Sequence, residues 1–259
     1  MSDYSVEIDA WRATRLKNLM AETGWLNLVG RAWLSPGTIT LGSAPGNDVV
    51  LSGGPAHIGT VAMDAEGVVT ITSANGLPPL HFPASEASQS QQLGSVLIEI
   101  HLLNGRRSIR VRDRDANPAS SFPGIASFPV DPSWRVTARL VALDSPLDIE
   151  IDTAAGIPTT VTVTHRAEFS HAGTNLSLLL THGTYEKPMF VFKDRTGDGE
   201  TYSAARFVYG ENRTDDQVTL DFNKTFNPPC AFTSHALCPM PPQHNVLPVR
   251  VAAGELKPL

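Results

Sequence analysis

Twenty glycines and twenty prolines divide this 259-residue sequence into short apolar runs. That punctuation favours short strands and turns over long helices. Hydrophobic residues make up 41% of the chain, enough to fill the core of one large β domain or two smaller ones without covalent staples. Charged residues reach only 18%, against roughly 25% in an average globular chain. Serine, threonine, glycine and proline fill the difference.

One segment escapes the punctuation. Val6, Ile8, Trp11, Leu16, Leu19 and Met20 recur at mixed helical spacings, which predicts a helix over 6–22, with Arg12, Arg15 and Lys17 toward water and Gly24 as its C-terminal cap. From Trp25 the pattern turns to strands: Trp25–Val29, Thr38–Leu41, Val49–Leu51, Val68–Ile71, then Val96–Leu103 and Ser108–Arg112 joined by the type I′ turn signal Asn104-Gly105. The polar stretch Ser85–Gln92 reads as a loop, and the Pro- and Ser-rich stretch Asp115–Asp131 as a linker. A second set of strands follows at Trp134–Leu143, Leu147–Asp152, Thr160–His165, Leu176–Leu180, Met189–Asp194 and Arg206–Tyr209. Beyond Leu220, the prolines around Cys230 and Cys238 forbid regular structure, yet Phe, Leu, Met and Cys dot the segment, so it reads as an extended strap packed on the sheet. The expected fold is mainly β: an N-terminal helix and β-sandwich over 1–120, and a second antiparallel β unit with a proline-rich C-terminal strap over 121–259.

The net charge is −6, and no run of Lys or Arg exceeds two, which argues against a phosphate-tracking groove for nucleic acid. The acidic first ten residues lack a signal-peptide pattern, and no run approaches the roughly 18 apolar residues of a membrane span. The expectation is a cytoplasmic protein with neither nucleic acid nor membrane as its partner. Two cysteines make no disulfide framework, and a cytosol would keep them reduced. The sequence does not fix the oligomeric state.

Two resemblances stand on particular residues. Ile39-Thr40-Leu41-Gly42-Ser43, Asn47-Asp48-Val49-Val50-Leu51 and His57-Ile58-Gly59 together resemble the forkhead-associated β-sandwich pattern. A phosphothreonine reader of that family would carry arginine where this chain has Ser43, and a Ser-x-x-His turn where it has Pro55-Ala56-His57. The second covers nearly the whole chain. Asp221-Phe222-Asn223-x3-Asn227-Pro228-Pro229-Cys230-Ala231-Phe232, then Cys238-Pro239-x-Pro241-Pro242-x2-Asn245-x-Leu247-Pro248 and Ala253-Gly254-Glu255, resembles a large bacterial domain family of unknown function. Gly24-Trp25-Leu26, Arg110-x-x-Asp113, Phe128-Pro129-Val130-Asp131 and Asp194-x-Thr196-x5-Tyr202-x3-Arg206 agree with it. After Asp113, the resemblance implies an arginine where Pro118-Ala119-Ser120-Ser121 stands, which weakens an anion site at Arg110 and Asp113.

The polar residues of that signature define the candidate site. Cys230 is a nucleophile if a nearby cation lowers its pKa. Arg206 can fork onto a carboxylate, either Asp221 or a ligand's. Asp221 and Asn223, read as strand residues, would point to one face, with Asp221 orienting or acting as base. Tyr202, Asn223, Asn227, Asn245, Arg110 and Asp113 would line the site of a small polar or anionic ligand. The competing reading makes the same residues architectural: Asn and Asp beside Pro pin turns, and an Arg–Asp pair staples the strap to the sheet. No cofactor is expected, although Cys230, His235, Cys238 and His244 have the atom types of a zinc site. Asp194-x-Thr196-x-Asp198-Gly199-Glu200 opens like a calcium loop but lacks the closing acid, and His165, His171 and His182 could cluster across strands. The alternative function is a non-enzymatic protein-interaction module that uses the forkhead-like sandwich.

Overall fold

The computed structural model describes residues 3–86, 88–116, 121–154 and 156–258, so Pro118, Ala119 and Ser120 lie outside the described residues. The chain is mainly β with an N-terminal helix, and it forms two compact units: Lys17–Phe122, and Met1–Leu16 with Pro123–Leu259. The helix α1 (Asp3–Met20) starts and ends slightly earlier than its apolar spacing predicts. Its buried positions are Ile8 and Leu19, whereas Val6 is 54% exposed. Arg12 and Arg15, expected toward water, are half-buried instead because backbone carbonyls claim them: Arg12 donates to Phe128 O at 2.8 Å and Arg15 to Asn227 O at 3.0 Å. Gly24 has an extended φ of −70° and is no left-handed cap. Glycine is needed there because a Cβ would fall 2.2 Å from the Leu19 carbonyl oxygen.

In the unit Lys17–Phe122 the strands are β1 (Leu28–Trp33), β2 (Gly37–Gly42), β3 (Val49–Val50), β4 (Gly59–Met63), β5 (Val69–Ser73), β6 (Leu80–Phe82), β7 (Ser88–Leu93), β8 (Val96–Leu103) and β9 (Arg106–Asp113). They form two sheets, in the orders β1-β9-β8-β7 and β3-β2-β4-β5-β6. Ile98, Ile100, Ile109 and Val111 of the first sheet share one apolar cluster with Leu41, Val61, Ile71 and Phe82 of the second, so the two layers close on a common core. The turn between β8 and β9 is the expected one: Asn104 and Gly105 both have positive φ, 49° and 74°, as type I′ requires. The stretch read as a loop is in part β7. Its Ser and Gln side chains suit a polar edge strand, and only Leu93 is buried.

In the other unit, β10 (Arg135–Ile151), β11 (Thr159–His171), β12 (Thr174–Leu179), β13 (His182–Gly183), β14 (Pro188–Phe192), β15 (Arg206–Glu211) and β16 (Gln217–Asp221) make one sheet in the order β12-β11-β10-β16-β15-β14-β13. Where two strands were predicted around Pro146, β10 runs through, and its register to β11 shifts between Ala142 and Leu147. A proline without an N–H is tolerated at such an irregularity. β16, of which only Asp221 was expected as a strand residue, lies between β10 and β15, with Val218 and Leu220 fully buried. Phe222 follows at the centre of the core, its ring 5.7, 5.5 and 5.6 Å from those of Trp134, Phe169 and Phe192.

Residues 222–258 form the expected strap, built from short helical turns and isolated bridges. Backbone bonds lay it along the unit: Phe226 N to Phe207 O (2.9 Å), Met240 N to Asp152 O (2.8 Å) and Leu247 N to Lys193 O (2.8 Å).

Candidate functional site

Arg206 opens β15 and is 2% exposed, and its carboxylate partner is Asp194 rather than Asp221. Nη1 donates to Asp194 Oδ1 at 3.0 Å and to the Val251 carbonyl at 3.0 Å, and Nη2 donates to the Ala253 carbonyl. Asp194 also accepts from Val251 N at 2.7 Å and from the Thr196 hydroxyl at 2.9 Å. Burial lowers the guanidinium pKa, and Asp194 opposes that. The guanidinium therefore staples the strap to the sheet and cannot grip a ligand's anion. The loop that opens like a calcium site has spent its first carboxylate on this knot.

Asp221 and Asn223 do not share a strand face. Asp221 ends β16, the chain turns at Phe222–Lys224, and Asp221 Oδ1 accepts from Asn223 N at 3.1 Å. The Tyr4 hydroxyl donates to the same Oδ1 at 2.8 Å and accepts from Asn223 Nδ2 at 2.9 Å. Burial first, and then this bond to Asp221, raise the tyrosine's pKa. Asn223 also clasps Asp131, accepting from its N at 2.9 Å and donating to its O at 2.8 Å. Among the described residues, the group of metal-type ligand atoms within 4.8 Å of one another is Glu7, Glu211 and Asp221. The Lys224 ammonium already sits among them, at 2.7, 2.9 and 3.9 Å. Burial disfavours that ammonium, yet its bonds to Glu7 and Glu211 raise its pKa.

The other two asparagines also face the backbone. Asn227 donates from Nδ2 to Leu256 O at 2.7 Å, and its N–H donates to Glu255 Oε2 at 2.6 Å. Glu255, 3% exposed, pairs with Arg15 Nε at 3.0 Å. Gly254 must be glycine beside it, since φ is 81° and a Cβ would lie 2.5 Å from Thr225 O. Asn245, fully buried, accepts from Leu179 N at 2.7 Å and donates to Leu179 O at 3.0 Å and Val191 O at 2.8 Å, tying β12 to β14. Tyr4 and Arg15 are working residues that the sequence reading did not place at the site, and Glu255 enters it through the signature's Ala253-Gly254-Glu255.

Cys230 and Cys238 do come together, and neither is in a disulfide. Cys230 N donates to Cys238 Sγ at 3.1 Å, and the Tyr202 hydroxyl donates to Cys230 O at 3.3 Å. A hydrogen bond from the Cys238 thiol, working against burial and helped by Tyr202, lowers the Cys230 pKa to about 7. Burial raises that of Tyr202. His235 and His244 are not gathered with the two sulfurs as a group of three ligands. The three strand histidines take separate partners: His171 stacks on Trp134 at 3.6 Å, His165 meets Thr164 and His182 meets Thr181.

Arg110 and Asp113 belong to the other unit. Arg110 and Arg112 share Glu99, at 3.2 and 2.9 Å, while Asp113 Oδ1 accepts from Asp115 N at 3.1 Å. In the same unit Ser43 Oγ donates to Gly54 O at 2.8 Å, and His57 Nδ1 lies 3.4 Å from Asn47 Oδ1. Burial alone would raise the Glu99 pKa, but His101, Arg110 and Arg112 together hold it down at about 2. Folding thus binds this carboxylate's proton more weakly than the unfolded chain does. The stabilisation is complete above about pH 4.5 and is lost as pH falls toward 2. In urea titrations, the stability gap between wild type and Glu99→Gln should narrow across that window. A constant gap would show that Glu99 is not held ionised.

One open groove of about 470 Å³ lies beside the Arg206–Asp194 knot, lined by Lys193, Asp194, Arg195, Asp198, Ser203 and Val246–Pro248 among others. Its volume is in the range of small-molecule sites. Among the described residues, neither Lys193 nor Arg195 forms an ion pair, and the charge of Asp194 is spent on Arg206.

Residues 120–256, just over half of the chain, match the family described as "Protein of unknown function (DUF1684)", and the protein belongs to that family. The solution NMR structure of an uncharacterized protein from gene locus rrnAC0354 of Haloarcula marismortui is similar over 53% of this chain and 78% of its own, with 27% identity and a TM-score of 0.44. No curated protein matches the chain. Among the described residues, no helix is long and apolar enough to cross a membrane.

Proposed function

We propose that the protein binds a small anionic molecule, a carboxylate or phosphate compound, in the groove between the Asp194 turn and Val246–Pro248. The observation that carries this reading is the pair of cations, Lys193 and Arg195, without carboxylate partners among the described residues, on a groove whose deepest acid is neutralised by Arg206. Asp198 also lines the groove and sets a limit on how much negative charge a ligand can bring. Among the signature residues, Asp194, Leu247 and Pro248 line the groove, while Arg206 and Asn245 hold its walls without touching the ligand. Arg206 fixes the Asp194 turn, and Asn245 fixes the segment leading into Val246.

The test uses phosphate and malonate as probes at low ionic strength. Each should raise the melting temperature of the wild-type protein in a concentration-dependent way. A Lys193→Ala/Arg195→Ala variant should bind at least about tenfold more weakly, the loss expected when about 1.4 kcal/mol of charge interaction is removed. Equal responses from wild type and variant would overturn the assignment.

A further inference from the structure

Cys230 and Cys238 have no part in the anion groove, and their placement supports a separate activity. We propose that they form a peroxide-reactive dithiol, with Cys230 the oxidised thiol and Cys238 the resolving one, closing to a reversible disulfide. Two geometric observations carry this. Cys238 Sγ lies 3.1 Å from the Cys230 backbone nitrogen, so the two residues already meet across the strap turn. Their exposures also differ in the required sense: Cys230 is half-buried and reachable, whereas Cys238 is 2% exposed and shielded from direct attack.

The chemistry balances with hydrogen peroxide as oxidant. The Cys230 thiolate attacks one peroxide oxygen, the S–O bond forms as the O–O bond breaks, and the departing hydroxide takes a proton to leave as water. The Cys230 sulfenic acid is then attacked by the Cys238 sulfur. The S–S bond forms, the S–O bond breaks, and the second hydroxide leaves as water with the Cys238 proton. Two thiols are oxidised and one peroxide is reduced. A thiol held near pKa 7 presents a large thiolate fraction at neutral pH, which suits the first step.

Full-length protein treated with hydrogen peroxide and then alkylated should lose about 2 Da and take up no alkyl group at either cysteine, and a reductant should reverse both. In Cys238→Ser, dimedone should trap a sulfenic acid at Cys230. In Cys230→Ser, Cys238 should stay reduced and unlabelled. Without oxidant, iodoacetamide should label Cys230 at least about tenfold faster than Cys238, with a rate that rises through about pH 7. Two alkylatable thiols after peroxide treatment of the wild type would overturn the proposal, even if a variant failed to fold. So would dimedone labelling no stronger in Cys238→Ser than in Cys230→Ser. None of these readouts depends on an anion in the groove.

Discussion

Arg206→Met should destabilise its unit by about 3–5 kcal/mol, the cost typical of removing one partner from a buried ion pair. The change strands Asp194, whose side chain is 0% exposed, and it leaves the Val251 and Ala253 carbonyls without their guanidinium donor. Against a total stability of about 5–15 kcal/mol, that loss brings the unit close to unfolding at physiological temperature. Arg206→Lys should recover little, because one ammonium cannot reach Asp194 and both carbonyls with the guanidinium's fork geometry. Arg206→Met combined with Asp194→Leu should be less destabilised than the two single changes summed, since the stranded charge is gone. Urea denaturation followed by tryptophan fluorescence in a Trp11→Phe/Trp25→Phe/Trp33→Phe background reports this unit, because the remaining indole, Trp134, is buried and stacked on His171. A stable single Arg206→Met variant would mean that the staple is dispensable and would reopen a ligand role for Arg206.

The parts of this fold legible in the sequence are those specified by neighbouring residues. Asn104-Gly105 has the two positive-φ positions of a type I′ turn side by side, and the prolines around Cys230 and Cys238 rule out strands where they stand. Edge strand β7 was hidden because a strand with one buried residue lacks the alternation that marks a half-buried one. The site was harder to read for a related reason. The signature's Arg206, Asp221 and Asn245 are buried and hydrogen-bonded, but their partners lie far along the chain. Tyr4 meets Asp221 across 217 positions, Arg15 meets Glu255 across 240, and Arg206 takes Asp194 in place of the more suggestive Asp221. No periodicity encodes those pairings. Asp221 misled for a local reason, since an Asp at a strand end can turn the chain by accepting from the second following N–H, which breaks the alternation assumed for Asn223.

The asparagine at 245 offers the sharpest distinction between an architectural and a ligand-binding signature. Its amide acts as a piece of backbone: Oδ1 takes the Leu179 N–H, and Nδ2 serves the Leu179 and Val191 carbonyls, all in a position with no solvent exposure. Asn245→Ala leaves three buried backbone groups unpaired. At about 1–3 kcal/mol for each unsatisfied group, partly offset by relaxation, a loss of about 3–5 kcal/mol is expected. Asn245→Asp keeps the shape but turns a carboxylate toward two carbonyl oxygens, so at pH 7 it should be worse than alanine. Burial and the two carbonyl oxygens facing Oδ2 outweigh the single Leu179 N–H at Oδ1 and raise the aspartate's pKa above its unfolded value of about 3.9. The folded variant therefore gains a proton first, and its deficit relative to wild type should shrink as pH falls from 7 toward about 4. Once protonated, the carboxyl can donate to one of the two carbonyls. Chemical denaturation of the three proteins at pH 7 and pH 5 checks the order, and hydrogen exchange at the Leu179 amide checks the cause. If Asn245→Asp matched wild type in both, the amide would not be bridging β12 and β14, and the signature would have to be explained by what it binds rather than by what it holds.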